Sequence, residues 1–254
     1  MIRFEHVTKR MGGKRVLDEV EMEIRDGETF VIVGASGAGK SVCLRHMVRL
    51  LTPDEGRVLV GDRIVSEARG TALREIRAQF GFLFQEAALM DWMSVESNVA
   101  MPLRQRQKLT DKEIDERVGQ ALQMVSLEDA RQKLPSELSG GMQKRVGLAR
   151  AIVTDPRYVL YDEPTAGLDP VTSRTIDHLV NRLRSELSVT SVVVTHDLLS
   201  ALAVGTRIAL LHEGRLDVVC EPAAFVVSDD PTVRRFLDAQ RITADAVPQD
   251  EEEA

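Results

Sequence analysis

The apolar run Thr29-Phe30-Val31-Ile32-Val33 passes straight into Gly34-Ala35-Ser36-Gly37-Ala38-Gly39-Lys40-Ser41, and a helical pattern follows from about Lys40 to Leu51. No other feature restricts the fold as much. A GxxxxGK[ST] stretch between a buried strand and a helix needs a strand whose C-terminal end meets a helix N-terminus, the repeating unit of an α/β sheet. The glycines let backbone N–H groups close around phosphate oxygens, and the helix N-terminus adds positive potential. Gly34, Ala35, Ser36, Gly37, Ala38 and Gly39 form the loop of that cradle. Lys40 is placed to reach the β- and γ-phosphates of a nucleotide, and the Ser41 hydroxyl to ligate Mg²⁺. A glycine-rich turn with no ligand would need neither flanking element.

Around this motif strands and helices alternate. Val16, Val20, Met22 and Ile24 recur at even spacing before an Asp26-Gly27 turn, as in a strand. Thr52-Pro53-Asp54-Glu55-Gly56 stops the first helix, and Gly61-Asp62 separates residues 57–60 from 63–65, a predicted hairpin. From about 86 to 155 the pattern turns helical. Thr110 and Glu113 make a capping box, and Ile114, Val118, Leu122 and Val125 one apolar stripe. Strands return at 158–161 and 191–194. The helix between them opens at Asp169-Pro170 and turns Ile176, Leu179, Val180, Leu183 and Leu187 inward. This is an α/β chain with a mostly parallel sheet and a helical insertion. The polar stretch from Thr243 to the final Glu251-Glu252-Glu253-Ala254 is predicted to be disordered.

Composition narrows the class. A net charge of −7 over 254 residues argues against a nucleic-acid binder. Nothing approaches the ~18 consecutive apolar residues of a membrane span, and the start lacks a secretory signal's apolar core. The expectation is a cytoplasmic protein, attached to a membrane only through another protein. Cys43 and Cys220 stand outside any CxxC or His-rich setting and read as two reduced thiols.

Tyr158-Val159-Leu160-Tyr161-Asp162-Glu163 delivers two acids at the C-terminal end of a strand, where open α/β sheets bind ligands. Asp162 can hold a Mg²⁺ shell, and Glu163 can polarise a water for attack on a γ-phosphate. Alone, the pair would read as a solvated turn. Gln85 ends the strand-like run 80–84 and offers an amide to metal or water. His196 follows the strand 191–195, either as a surface residue or as a donor to a γ-phosphate oxygen. Asp169 is a helix N-cap that can also serve the site.

Leu138-Ser139-Gly140-Gly141-Met142-Gln143-Lys144-Arg145 opens a second helix with a serine cap and two glycines. Each glycine costs about 1 kcal/mol relative to alanine if helical. That makes sense where bare N–H groups must approach an anion closely. The cradle at Lys40 already covers one face of the nucleotide. A two-fold dimer reconciles both features: Ser139, Gly140 and Gly141 of each chain would cover the other chain's γ-phosphate.

In their order, the cradle, Gln85, Leu138-Ser139-Gly140-Gly141, Asp162-Glu163, Asp169 and His196 resemble the nucleotide-binding domain of an ABC transporter. The resemblance covers residues 1 to about 220. It implies a P-loop NTPase core with an N-terminal antiparallel β subdomain and an inserted helical subdomain at about 86–155, the whole ATPase domain spanning 1–242. It further implies ATP and Mg²⁺ as cofactors, with Lys40 and Ser41 in Walker A, Asp162 in Walker B and Glu163 as catalytic base. Gln85 becomes the Q-loop, also a metal contact, Asp169 the D-loop and His196 the switch histidine. The family's adenine-stacking aromatic is replaced at this place by Met11, whose thioether can still lie on a purine. A P-loop kinase or GTPase would have no use for Ser139-Gly140-Gly141. A DNA-repair or translation ABC protein would carry a long coiled coil or two cassettes.

After Gln85 the chain reads Glu86-Ala87-Ala88-Leu89-Met90-Asp91-Trp92-Met93, then Asn98-Val99-Ala100-Met101-Pro102-Leu103-Arg104. In this family the region meets the permease's coupling helix, so Leu89, Met90, Trp92 and Met93 are candidates for docking, or for ordinary packing between lobes. The stretch resembles the ATPases of MCE-linked lipid transporters, of the maintenance-of-lipid-asymmetry type. Ala87 stands where those carry glycine, and Met90 where they carry phenylalanine. That resemblance implies phospholipid movement between envelope membranes, an MCE-type lipid-binding partner and a place on the cytoplasmic face of the inner membrane. ATPases of amino-acid or osmolyte importers share much of the pattern, and a non-transport ABC ATPase is a further alternative.

Overall fold

The structure, a computed structural model, describes residues 1–106 and 109–242. The disorder expected beyond Thr243 lies outside the described residues. The chain forms two compact units, one made of Met1–Ala68 and the chain from Val193 onward, the other of Arg69–Val192.

In the first unit, β1 (Ile2–Met11) and β2 (Lys14–Ile24) form an antiparallel hairpin. β4 (Glu55–Val60) pairs along the other edge of β1, and β5 (Arg63–Ile64) closes the predicted hairpin with β4, giving the order β2-β1-β4-β5. The even spacing expected of β2 does not hold throughout. His6 and Glu19 take φ of 48° and 51°, and the register slips between Phe4 and Val7 and again before Lys9. This bulge shifts the side-chain parity. Leu17 is therefore buried with Val20, Met22 and Ile24, while Val16 is only half-buried.

β3 (Thr29–Val33) is buried at every residue, as a strand covered on both faces must be. It runs parallel to β9 (Arg207–His212), which pairs antiparallel with β10 (Arg215–Cys220). α1 (Lys40–Met47) follows β3 and ends four residues before the predicted stop at Leu51. Arg49 adopts φ 52°, and the Leu50 N–H returns to the Arg45 carbonyl at 2.8 Å. That is a Schellman closure with arginine where glycine is usual, so no glycine in the sequence marks it. α7 (Leu198–Val204), α8 (Pro222–Val226) and α9 (Pro231–Ala239) complete this unit.

In the second unit, α2 (Gly70–Ala78) leads to β6 (Phe80–Leu83), which lies parallel to β7 (Tyr158–Asp162). Between those strands come α3 (Val95–Arg106), α4 (Asp111–Met124) and α5 (Gly140–Ile152). The Thr110–Glu113 capping box forms, and Ile114, Val118, Leu122 and Val125 are all buried. α6 (Pro170–Leu187) buries Ile176, Leu179, Val180 and Leu183, but Leu187, in its last turn, stays half-exposed. β8 (Thr190–Thr195), buried throughout, runs across the division between the units.

Candidate active site

The cradle belongs to the first unit. Gly34 leaves β3 at φ 157°, and a Cβ there would stand 2.4 Å from the Leu211 carbonyl oxygen. Only glycine fits so close to backbone, and the loop owes its path to that approach. Ala35, Ser36 and Gly37 are exposed and Ser41 half-buried. Lys40 is only 6% exposed, and its ammonium donates to the carbonyls of Gly34 at 2.9 Å and Ala35 at 3.1 Å. The cation is thus held over the mouth of the loop by groups that a phosphate could replace. Met11 stands partly exposed at the end of β1, paired with Lys14 across the Gly12-Gly13 turn.

His196 is exposed immediately after β8. Its carbonyl accepts from Gln240 Nε2 at 3.0 Å, while Gln240 Oε1 accepts from Leu198 N–H at the same distance. One side-chain amide beyond α9 therefore grips the backbone on both sides of Asp197, the residue that caps α7. Nothing in the sequence pattern marks Gln240 for this task.

The acids belong to the second unit. Asp162, 4% exposed, ends β7, and Glu163, 8% exposed, follows at φ 49°. A left-handed glutamate costs about 1–3 kcal/mol and persists only where its surroundings hold it. Here the Glu163 carbonyl accepts from Ala166 N–H and from Lys144 Nζ, each at 3.2 Å. Because β6 and β7 are parallel, with Leu83 opposite Tyr161, the chain leaves both strands at the same edge. Gln85 is thereby brought near Glu163. Lys144 Nζ also donates to the Gln85 carbonyl. Arg150 donates to the carbonyls of Ala87 and Ala88, two consecutive left-handed residues at φ 55° and 48°. This left-handed turn explains the glycine of the resembling pattern at position 87, for which alanine here bears strain.

Both N-caps predicted from sequence form. Ser139 Oγ accepts from Met142 N–H at 3.3 Å, and Asp169 Oδ1 accepts from the N–H groups of Val171 and Thr172. The Thr172 hydroxyl and those N–H groups hold the Asp169 carboxyl below the usual carboxylate range. The two glycines of α5 differ. Gly140 is exposed, but a Cβ on Gly141 would lie 2.4 Å from Thr172 Cγ2. Packing of α5 on α6 is thus reason enough for Gly141, while Gly140 keeps the expected bare approach.

A cleft of about 600 Å³ opens between the Gln85–Leu89 loop, the first turn of α5 and Ala166–Leu168. Trp92 is 77% exposed, whereas Leu89, Met90 and Met93 are half-buried. Buried Asn98 holds the intervening loop, accepting from Met90 N–H at 2.8 Å and donating to the carbonyls of Met90, Met93 and Ser94.

A strand-fed phosphate loop in one unit and a strand-borne acid pair in the other are the marks of a P-loop nucleotide hydrolase. The chain matches the ABC transporter family over residues 17–166 and belongs to it. It is 37% identical over 253 residues to a probable ribonucleotide transport ATP-binding protein, mkl, of Mycobacterium leprae, covering 100% of this chain and 73% of that protein. The methionine import ATP-binding protein MetN of Clostridium tetani is 36% identical, covering 95% and 76%. The dimeric post-hydrolysis structure of an ATP-binding cassette bound to ADP and Pi matches with a TM-score of 0.80. Its identity is 34%, over 87% of this chain and 99% of that one. This protein is an ATP-binding, ATP-hydrolysing subunit of the ABC class.

Proposed function

We propose that this chain hydrolyses ATP between two copies of itself and that closure of the pair drives a membrane permease. Glu163 carries the reading: a buried carboxylate beside Asp162, at the C-terminal end of a parallel strand, in a strained and held backbone conformation. In it, Glu163 polarises the attacking water, and Lys40 with loop 34–39 holds the phosphates. His196 donates to the γ-phosphate and Met11 lies on the adenine. Ser41, Gln85 and Asp162 offer hydroxyl, amide and carboxylate oxygens, a donor set suited to Mg²⁺, which when bound would neutralise charge on the β- and γ-phosphates. Ser139 and Gly140 cap the γ-phosphate of the second copy, with Gly141 behind them and Asp169 at the adjoining helix start. Family membership joins these residues of two units in one reaction.

The dimeric cassette among the structural relatives supports the pair. Mixed dimers of wild type and Ser139→Arg test it. The arginine should leave nucleotide binding to its own cradle intact and stop hydrolysis of the neighbour's ATP. Loss confined to the mutant's own site would overturn the sandwich.

For the cargo, the runs around Ala87–Met90 and 98–104 support phospholipid movement, alongside an MCE-type partner, from the cytoplasmic face of an inner membrane. No helix among the described residues is long and apolar enough to cross a membrane, so attachment falls to a permease docking near Trp92. A second reading, amino-acid import, is favoured by the MetN relative. Copurification from membranes identifies the permease, and Trp92→Ala with Met93→Glu should abolish that capture while sparing ATP binding. An envelope-lipid defect in such cells supports the first reading, and a nutrient-uptake defect with normal lipids the second.

A further inference from the structure

α5 touches the Gln85 loop along one face. Lys144, Gly147 and Arg150 recur at i, i+3 and i+6, which stacks them on successive turns. Lys144 donates to the Gln85 carbonyl, Gly147 lies against Leu83 and Ala87, and Arg150 donates to the carbonyls of Ala87 and Ala88. Of the three, only Lys144 also reaches the other functional segment, through the Glu163 carbonyl at 3.2 Å.

Lys144 is an unusual residue to bury. It is 5% exposed, and burial pushes its pKa down against the opposing pull of Glu163, Asp162 and Glu86. Desolvating an ammonium costs several kcal/mol. An apolar side chain of similar length would avoid that cost, but it could not satisfy two carbonyls from two different loops. Left without a donor, the two carbonyls would each lose a charge-assisted hydrogen bond.

We propose that Lys144 is a positioning residue for hydrolysis: its ammonium ties the backbone of Glu163 to the Gln85 loop, so that displacement of the loop is passed to the catalytic carboxylate. This rests on the reading of Glu163 as the base. The hydrogen bonds of the ammonium go to main chain, so its removal should alter where the Glu163 backbone sits. A loop that meets a permease is in this way linked mechanically to the reaction, through the helix that also bears Ser139 and Gly140.

The test is ATP turnover by the full chain carrying Lys144→Met, which keeps an unbranched stem and removes every donor. Misplacing a catalytic group by about 1 Å can cost ~10²-fold, so kcat should fall ~10- to 100-fold while KM for ATP stays within ~2-fold. Lys144→Arg, whose guanidinium can reach both carbonyls, should recover most of the rate. A filler role would instead be rescued by methionine and not by arginine. A kcat for folded Lys144→Met within ~2-fold of wild type, or equal losses in the methionine and arginine variants, would overturn the proposal. If the methionine variant does not fold, Lys144→Gln takes its place beside Lys144→Arg, and equal turnover of those two overturns it as well. Glu163→Gln is run in parallel. Wild-type turnover there removes Glu163 as the base; a dead Glu163→Gln beside a fully active Lys144→Met removes only the link through Lys144.

Discussion

The side-chain amide of Gln240 donates to the backbone carbonyl of His196 at 3.0 Å, so the C-terminal end of α9 holds the loop that presents the imidazole. The same amide accepts from the N–H of Leu198, a fully buried residue. Gln240→Leu should remove both bonds, a loss of about 0.5–1.5 kcal/mol for each. Gln240→Glu should keep the Leu198 bond but set a carboxylate against the His196 carbonyl. Hydrogen exchange at the Leu198 amide should accelerate in the leucine variant and much less in the glutamate variant. Turnover should fall in both, because both release His196. Unchanged exchange at Leu198 in Gln240→Leu would show that the grip does not operate in solution.

Glu163→Gln preserves the shape of the side chain and every backbone bond around it. ATP binding should persist while hydrolysis drops ~10²–10⁴-fold, the usual cost of losing a general base. The melting temperature should move little, because the Ala166 and Lys144 bonds to the Glu163 carbonyl are kept. A nucleotide-dependent dimer on gel filtration should accumulate as hydrolysis stops.

Two adjacent alanines offer a sharper comparison. Ala87 and Ala88 share the left-handed conformation, yet Ala87 is buried and Ala88 exposed. Relief of left-handed strain is worth about 1–2 kcal/mol. Ala88→Gly gives up little contact and should stabilise the protein by up to ~1 kcal/mol after chain entropy is counted. Ala87→Gly loses a buried methyl worth about 0.8 kcal/mol and should be close to neutral. Chemical denaturation resolves the difference, and equal shifts would mean that burial of the Ala87 methyl contributes nothing.

His46 should contribute to the loss of stability on the acid side. It is buried in α1, its Nδ1 lies 2.6 Å from the Val42 carbonyl, and burial holds its pKa below the ordinary histidine value. The unfolded chain therefore takes up this proton at higher pH than the folded one. Above about pH 6.5 both states are neutral and stability is unaffected. As pH falls through that value the unfolded state gains, at a slope that cannot exceed about 1.4 kcal/mol per pH unit for one proton, until the folded pKa is passed. His46→Gln should flatten this slope just below about pH 6.5 in denaturant titrations, and an unchanged slope would place the titrating group elsewhere.

What the sequence reveals of this site follows from how local each signal is. The cradle, the Ser139 and Asp169 caps and the acid pair after β7 are written in contiguous residues, and the structure forms each locally. Lys144 is visible only as one of three cations in a helix that also carries Arg145 and Arg150. Its partners come from two other loops, and no spacing rule connects them. The early end of α1 was hidden because Arg49, not glycine, takes the left-handed position. The parity of β2 is hidden for a similar reason: Glu19 supplies the bulge without any residue type that announces one.

Cys43 lies one turn past Lys40 in α1, fully buried, with its thiol pushed up to about 12. A thiolate is the species that alkylating reagents capture, so this sulfur is silent while the helix is seated. Labelling of Cys43 becomes a clock for the unseating of the segment that grips phosphate, read one molecule at a time by mass. Replacing the half-buried Cys220 by serine leaves that clock without a competing signal. Nucleotide bound to the cradle should slow it in proportion to occupancy, since binding draws the population away from the open form. The protein thus carries, beneath its own phosphate loop, a native chemical gauge of how firmly that loop is held.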